Sequence, residues 1–290
     1  MRARHPDFEG VVGAEGISLG YEVYGDGAPT VLLMPTWTII HSRFWKLQIP
    51  YLARHCRVIA YDGPGNGRSD RPLDTPSYAG DAQLAYTTAV MDATRTERAV
   101  LVSLSQAALW SLRFAAANPD RVLGLVFISP SLPLSSQFQG RASIPDTFDQ
   151  KFDDPQGWEK YNAHYWRTNY ADFADFFFSQ CFSERHSTKQ REDCVGWALE
   201  TGSDVLIAED GADAEIDKQT VLELCEKVTS PVLVMHGSDD QISPLSRGAA
   251  LAAATGGKLI VLEGSGHIAL ARDPVKVNLI LRRFINTVGA

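Results

Sequence analysis

Ser105 lies in Ser103-Leu104-Ser105-Gln106-Ala107, between an apolar run ending at Val102 and an amphipathic stretch beginning near Ala108. A serine at a strand-to-helix elbow is a candidate nucleophile. The strained turn lifts its hydroxyl clear of the sheet and aims the next backbone N–H, here that of Gln106, at the same spot. Main chain passes so close to main chain at such a turn that small side chains are needed two positions either side, and Ser103 and Ala107 are small without being glycine. Taken alone, the pentapeptide suits a helix cap equally well. Two further residues change its weight. His267 closes Glu263-Gly264-Ser265-Gly266-His267 after the strand-like Lys258 to Leu262, and Asp240 closes His236-Gly237-Ser238-Asp239-Asp240 after Pro231 to Met235. All three sit on loops behind strand-like runs, where open parallel sheets gather their ligands. Serine, aspartate and histidine are the residue types of acyl transfer through a covalent intermediate.

Such loops need a sheet to carry them, and the chain supplies an alternation of strand and helix patterns. Ile17 to Tyr24 alternates as an edge hairpin strand would, and Thr30 to Met34 is a buried run. Phe44 to His55 has helical spacing, with Trp45, Ile49 and Leu52 inward. Arg57 to Tyr61, Ala99 to Leu104, Leu123 to Ile128, Pro231 to Met235 and Lys258 to Leu262 read as strands. Asp81 to Thr94, Gln106 to Asn118, Pro244 to Ala254 and Pro274 to Val288 read as helices. The fold class expected from this is α/β, a mostly parallel central sheet with helices on both faces. No internal repeat, low-complexity tract or flexible linker interrupts it.

The alternation stops between about Leu132 and Val228, where short helical patterns carry many aromatics, from Phe138, Phe148 and Trp158 through Tyr161, Trp166, Phe173 and Phe177 to Trp197. So small a unit cannot bury them all within itself, so several rings are expected to face the sheet and line a pocket, while any single ring belongs to the unit's own core.

The chain resembles the α/β-hydrolase superfamily. Beside the elbow, Asp62-Gly63-Pro64-Gly65-Asn66-Gly67-Arg68-Ser69-Asp70 is similar to that family's glycine-rich turn, and Asn118-Pro119-Asp120-Arg121-Val122 to the end of its helix behind the nucleophile. The resemblance implies a core of residues 1–132 and 229–290, with a helical cap, 133–228, inserted after the sixth strand. It implies Ser105 as nucleophile, Asp240 as acid and His267 as base, with an oxyanion hole of the Trp37 and Gln106 N–H groups. Asp239 is the rival acid, but the family's spacing of three residues beyond Gly237 selects Asp240. A carboxylate after the preceding strand serves some relatives, and Ser129-Pro130-Ser131-Leu132-Pro133 contains none. Two departures stand out: the elbow lacks both glycines, and Pro35-Thr36 replaces a customary His-Gly. Proline has no N–H to donate, but the implied donor is two residues further on. A serine at the elbow also argues against dehalogenase and epoxide hydrolase chemistry, which in relatives uses aspartate.

Composition is that of a globular chain: 290 residues, 44% hydrophobic, with a formal net charge of −8. The charge is spread without a basic cluster, which argues against nucleic acid or an anionic membrane as partner and offers no steering to strongly acidic substrates. The residues from Met1 to Phe8 lack the apolar core of a signal peptide and no run is long enough to span a membrane, so a cytoplasmic location is expected. Cys56, Cys181, Cys194 and Cys225 show no metal-ligand spacing and are expected as reduced thiols, with Cys181 and Cys194 as the one pair to compare. No cofactor or metal is called for. The expected function is a serine hydrolase cleaving a carboxylic ester of a small to medium apolar acyl substrate. The alternatives are a C–C bond hydrolase of the meta-cleavage type, a thioesterase or lactonase, and a catalytically silent ligand-binding protein. A C–C hydrolase would need an arginine for its substrate's carboxylate, with Arg43, Arg167 and Arg185 as candidates. His41, His164 and His186 are read as structural or surface residues. Association into a homodimer stays open.

Overall fold

The computed structural model describes residues 4–213 and 216–289. Eight strands, β1 (Phe8–Ala14), β2 (Ile17–Tyr24), β3 (Thr30–Leu33), β4 (Arg57–Tyr61), β5 (Ala99–Leu104), β6 (Val122–Ile128), β7 (Val232–Gly237) and β8 (Lys258–Leu262), form one sheet. Their order is β1-β2-β4-β3-β5-β6-β7-β8. β2 runs antiparallel to β1 and β4, and every pairing from β4 and β3 to β8 is parallel. Continuous apolar strands need cover on both faces, and β5, the central example, is buried at all six positions.

The helices are α1 (Gly80–Ala93), α2 (Ala107–Ala117), α3 (Ala163–Cys181), α4 (Thr188–Ala198), α5 (Ser203–Asp210), α6 (Lys218–Glu226), α7 (Leu245–Thr255) and α8 (Pro274–Val288), joined by shorter helical turns. Tyr86 and Val90 of α1, Trp110 and Phe114 of α2, Val221 of α6 and Leu251 of α7 pack on one face of the sheet. Val277, Leu281 and Ile285 of α8 pack on the other, with Trp45, Ile49 and Leu52. That second cluster continues without a break into Trp166, Phe173, Phe177 and Phe178 of α3. The helices between β6 and β7 therefore share their apolar interior with the sheet. α3 is kinked at Asn169, whose φ of −136° and ψ of 38° leave the helical region. No helix among the described residues is long and apolar enough to cross a membrane.

Two local expectations are corrected. β2 is not an edge: β1 lies outside it, a strand whose apolar pattern is interrupted by Gly10 and Gly13 and whose side chains are mostly exposed or half-buried. The helical run from Phe44 to His55 is broken into a 3-10 turn, Ser42–Trp45, and one short helix, Ile49–Leu52. Pro50, at the start of that helix, has no N–H to extend it backwards. The three inward residues are nonetheless buried.

Candidate active site

Ser105 stands between the last residue of β5 and the first turn of α2, with φ +57°, a left-handed conformation uncommon for a residue bearing a Cβ. Such strain costs about 1–3 kcal/mol and persists where surrounding contacts over-determine it. Here the Ser105 N–H donates to the Ile128 carbonyl at 3.0 Å, and its own carbonyl accepts from the N–H groups of Ser131 at 3.1 Å and Ala108 at 3.2 Å. Ser103 and Ala107 are fully buried, which explains why nothing larger fits there. Ser105 Oγ forms no hydrogen bond with a described residue and opens on a cavity of about 290 Å³.

Asp240 and His267 meet. His267 Nδ1–H donates to Asp240 Oδ2 at 2.8 Å, and both side chains are almost wholly buried. Oδ1 of the same carboxylate accepts from the N–H groups of Ile242 at 2.8 Å and Ser243 at 2.9 Å. Burial by itself would raise the Asp240 pKa, but the charge of His267 and hydrogen bonds from His236 and His267 outweigh it and hold the carboxyl well below the usual range. Asp239 is exposed and accepts from its neighbour Ser238. The loops can come this close because residue 237 is glycine: a Cβ there would lie 2.2 Å from the Ser265 carbonyl.

His236 joins this group, although in the sequence it only flanks the aspartate motif. Its Nε2 lies 2.9 Å from the Ser243 carbonyl and 3.2 Å from Asp240 Oδ2, so the N–H is shared between them. A histidine closing an otherwise apolar strand, two positions from the strand-end loop, was the available signal. The ring has room because residue 248, on α7, is glycine; a Cβ there would stand 2.4 Å from His236 Nδ1.

The loop behind β3 forms the opposite wall. Thr36 Oγ1 donates to the Leu104 carbonyl at 2.9 Å, so the residue replacing the customary glycine ties this loop to the elbow. Neither the Trp37 nor the Gln106 N–H meets a protein acceptor among the described residues. Gln106 also stands at the N-terminus of α2, where the helix dipole favours negative charge. The Trp37 ring is inserted among Tyr161, Trp166, Phe173 and Phe177, at centroid distances of 4.9 to 6.3 Å. Beside it, the Thr38 N–H donates to Oε2 of Glu209 at 3.0 Å, across 171 residues of chain. Glu209, on α5, is fully buried, and its Oε1 has no hydrogen-bond partner. Burial outweighs what Thr38 alone offers in return, and its pKa is pushed up to about 8.

The cavity is lined by Trp37, Ser105 and Gln106, by Leu132 and Phe177, and by Tyr161, Arg141, Arg247 and Ile242 among others. Of the aromatics between β6 and β7, Tyr161 and Phe177 reach it and Phe148 lines an adjoining cavity; the others lie in shared core or at the surface. Arg43, Arg167 and Arg185 line neither cavity: Arg43 faces Glu200, Arg167 faces Asp204, and Arg185 is exposed. His41 is buried, with Nε2 3.3 Å from Glu200. Cys56, Cys181, Cys194 and Cys225 are free and buried. No three His, Cys, Asp or Glu side chains among the described residues are grouped so as to hold a metal ion.

Compared with known proteins, residues 29–274 match the family model for the alpha/beta hydrolase fold. The AB hydrolase superfamily protein YisY of Bacillus subtilis is 26% identical over 280 residues, covering 94% of this chain and 97% of that protein. The 2-hydroxymuconate semialdehyde hydrolase of a Pseudomonas species is 34% identical over 116 residues, 40% of this chain and 41% of that protein. Among solved structures, an esterase from a Rhodococcus species is similar with a TM-score of 0.78 at 22% identity, covering 97% of this chain and 99% of that one.

Proposed function

The chain belongs to the alpha/beta hydrolase fold family, and from that premise we propose that it is a serine hydrolase cleaving a carboxylic ester, or a related acyl bond, of a small to medium substrate. The observation that carries the reading is the positive φ of Ser105 at the mouth of the cavity. That strain is what a strand-to-helix elbow needs to expose a nucleophilic hydroxyl.

In this reading His267 takes the Ser105 proton as Oγ attacks the carbonyl carbon, and Asp240 holds the imidazole tautomer and stabilises the cation. The four donors around Asp240 support its staying ionised while the imidazole is charged. The Gln106 and Trp37 N–H groups bind the oxyanion as the tetrahedral intermediate forms. The proton on His267 then passes to the leaving alcohol. Water attacks the acyl-enzyme in the second half, with His267 again as base, and frees the acid and Ser105. Residues 133–228 act as a cap over the core of 1–132 and 229–290, and the seating of Trp37 among rings of that segment supports it. The test is a fluorophosphonate probe with mass spectrometry of the adduct, beside hydrolysis of p-nitrophenyl esters of increasing acyl length. An adduct on Ser105 with turnover is the expected result. Absence of both would leave a ligand-binding protein as the reading.

A further inference from the structure

Arg141 and Arg247 line the cavity onto which Ser105 opens, and both also line an adjoining cavity of about 590 Å³ that shares Tyr161 with the first. They stand where the two spaces meet. Neither is in an ion pair with a described residue. One hydrogen bond of Arg141 goes to the Ile242 carbonyl, on the Asp240 loop, and its guanidinium stacks 4.6 Å from the Trp158 ring centre. Its Nε is buried with no partner. Arg247 gives its Nε–H to the Ser135 carbonyl at 3.2 Å. Burial and then the charge of Arg141 lower the Arg247 pKa to about 10, so two like charges share one space.

The acids nearby are engaged elsewhere: Asp240, whose negative charge acts on Arg141, is already committed to His236, His267 and two main-chain N–H groups. Asp213 is held by Arg113 at 2.7 Å and by the Gly80 N–H. Asp210 accepts from the Tyr161 hydroxyl at 2.7 Å, and burial raises its pKa. Asp149 is exposed. Two half-buried guanidiniums with no ion-pair partner of their own are costly unless a ligand supplies the charge. The fork of N–H groups on each matches a carboxylate.

We propose that Arg141 and Arg247 form a carboxylate subsite, so that the substrate is an acyl compound bearing a carboxylate a few bonds from the scissile carbonyl. This rests on the hydrolase reading and replaces the apolar substrate expected from the sequence with an anionic one. The overall charge of −8 gives no long-range steering to such a substrate, so recognition is local, inside a low-dielectric space where the attraction is strong.

The experiment compares mono-p-nitrophenyl adipate with p-nitrophenyl hexanoate, which replaces the carboxylate with a methyl group. The kcat/KM ratio of adipate to hexanoate is expected to be about tenfold or more in the wild type. It should fall towards one in Arg141→Met and Arg247→Met and hold in Arg167→Met, a surface control. A wild-type preference for the hexanoate, or a ratio unmoved by both cavity variants, overturns the subsite. If Arg141→Met fails to fold, Arg247→Met alone decides. If neither ester is turned over and the fluorophosphonate leaves Ser105 unlabelled, the hydrolase reading has failed. The subsite then stands or falls on whether free adipate raises the Tm of the wild type and not that of Arg247→Met.

Discussion

Asp240 and Glu209 are both fully buried carboxyls behind the loops of one candidate site, and they are held in opposite states. Asp240 receives two main-chain N–H groups and two imidazoles, and is drawn far down into its ionised form. Glu209 receives one N–H, from Thr38, keeps an orphan oxygen, and is pushed up to about 8, so it is mostly neutral at pH 7. The number of donors, rather than depth, decides the charge of a buried acid. The contrast is also one of origin. Every donor to Asp240 comes from its own loop, β7 or the loop behind β8, whereas Glu209 reaches the β3 loop from α5, in the segment between β6 and β7. One side is built by loops of the sheet and the other is fastened by the segment between β6 and β7.

The comparison is most exposed to removal of the proposed reactive groups. Ser105→Ala or His267→Ala is expected to lower ester turnover by about three to six orders of magnitude, because such residues act as a unit; a loss under about tenfold, measured by steady-state kinetics, sinks the assignment. Asp240→Asn should cost about 10²–10⁴ in kcat, since the amide favours the wrong imidazole tautomer. The same change in Glu209, to Gln, should leave kcat far closer to wild type.

Stability separates the two acids next. The Glu209 pKa is raised in the folded state, so its contribution is present below the unfolded value of 4.5 and is lost as pH rises through about 8. Over that window the unfolding free energy should fall by at most about 5 kcal/mol, because each tenfold difference in proton affinity between the folded and unfolded chain is worth about 1.36 kcal/mol. Glu209→Gln should flatten this slope in urea titrations at several pH values. Asp240 has the opposite sign: its lowered pKa gives stability present above 3.8 and lost as pH falls below it. If Glu209→Gln leaves the slope between pH 4.5 and about 8 unchanged, the neutral buried acid is wrong. The smallest expected effect is that of Gly248→Ala, which would press on His236 and should cost about 1–3 kcal/mol, read as a lowered Tm.

Much of the sheet was legible because its signals are short-range. β4, β5 and β8 carry the residues read from their apolar runs, and α8 likewise. Ser105, Asp240 and His267 stood out because each follows such a run and is flanked by small or turn-forming residues. β1 was missed because its pairing with β2 is made by main chain and leaves its own pattern weak. The aromatics after β6 were visible as a set but not individually, since periodicity within one helix says nothing about which neighbour covers it.

From residue order alone come the strand-helix alternation, the elbow at Ser105 and the order of serine, aspartate and histidine, because a run of a few residues decides each. Tertiary structure alone decided that His236 joins Asp240 and His267, that Glu209 holds Thr38, and that Arg141 and Arg247, not Arg43, Arg167 or Arg185, face the cavity. These are contacts between segments packed from opposite directions, and both charge state and ligand preference depend on the partners and water each group is left with once the packing is complete.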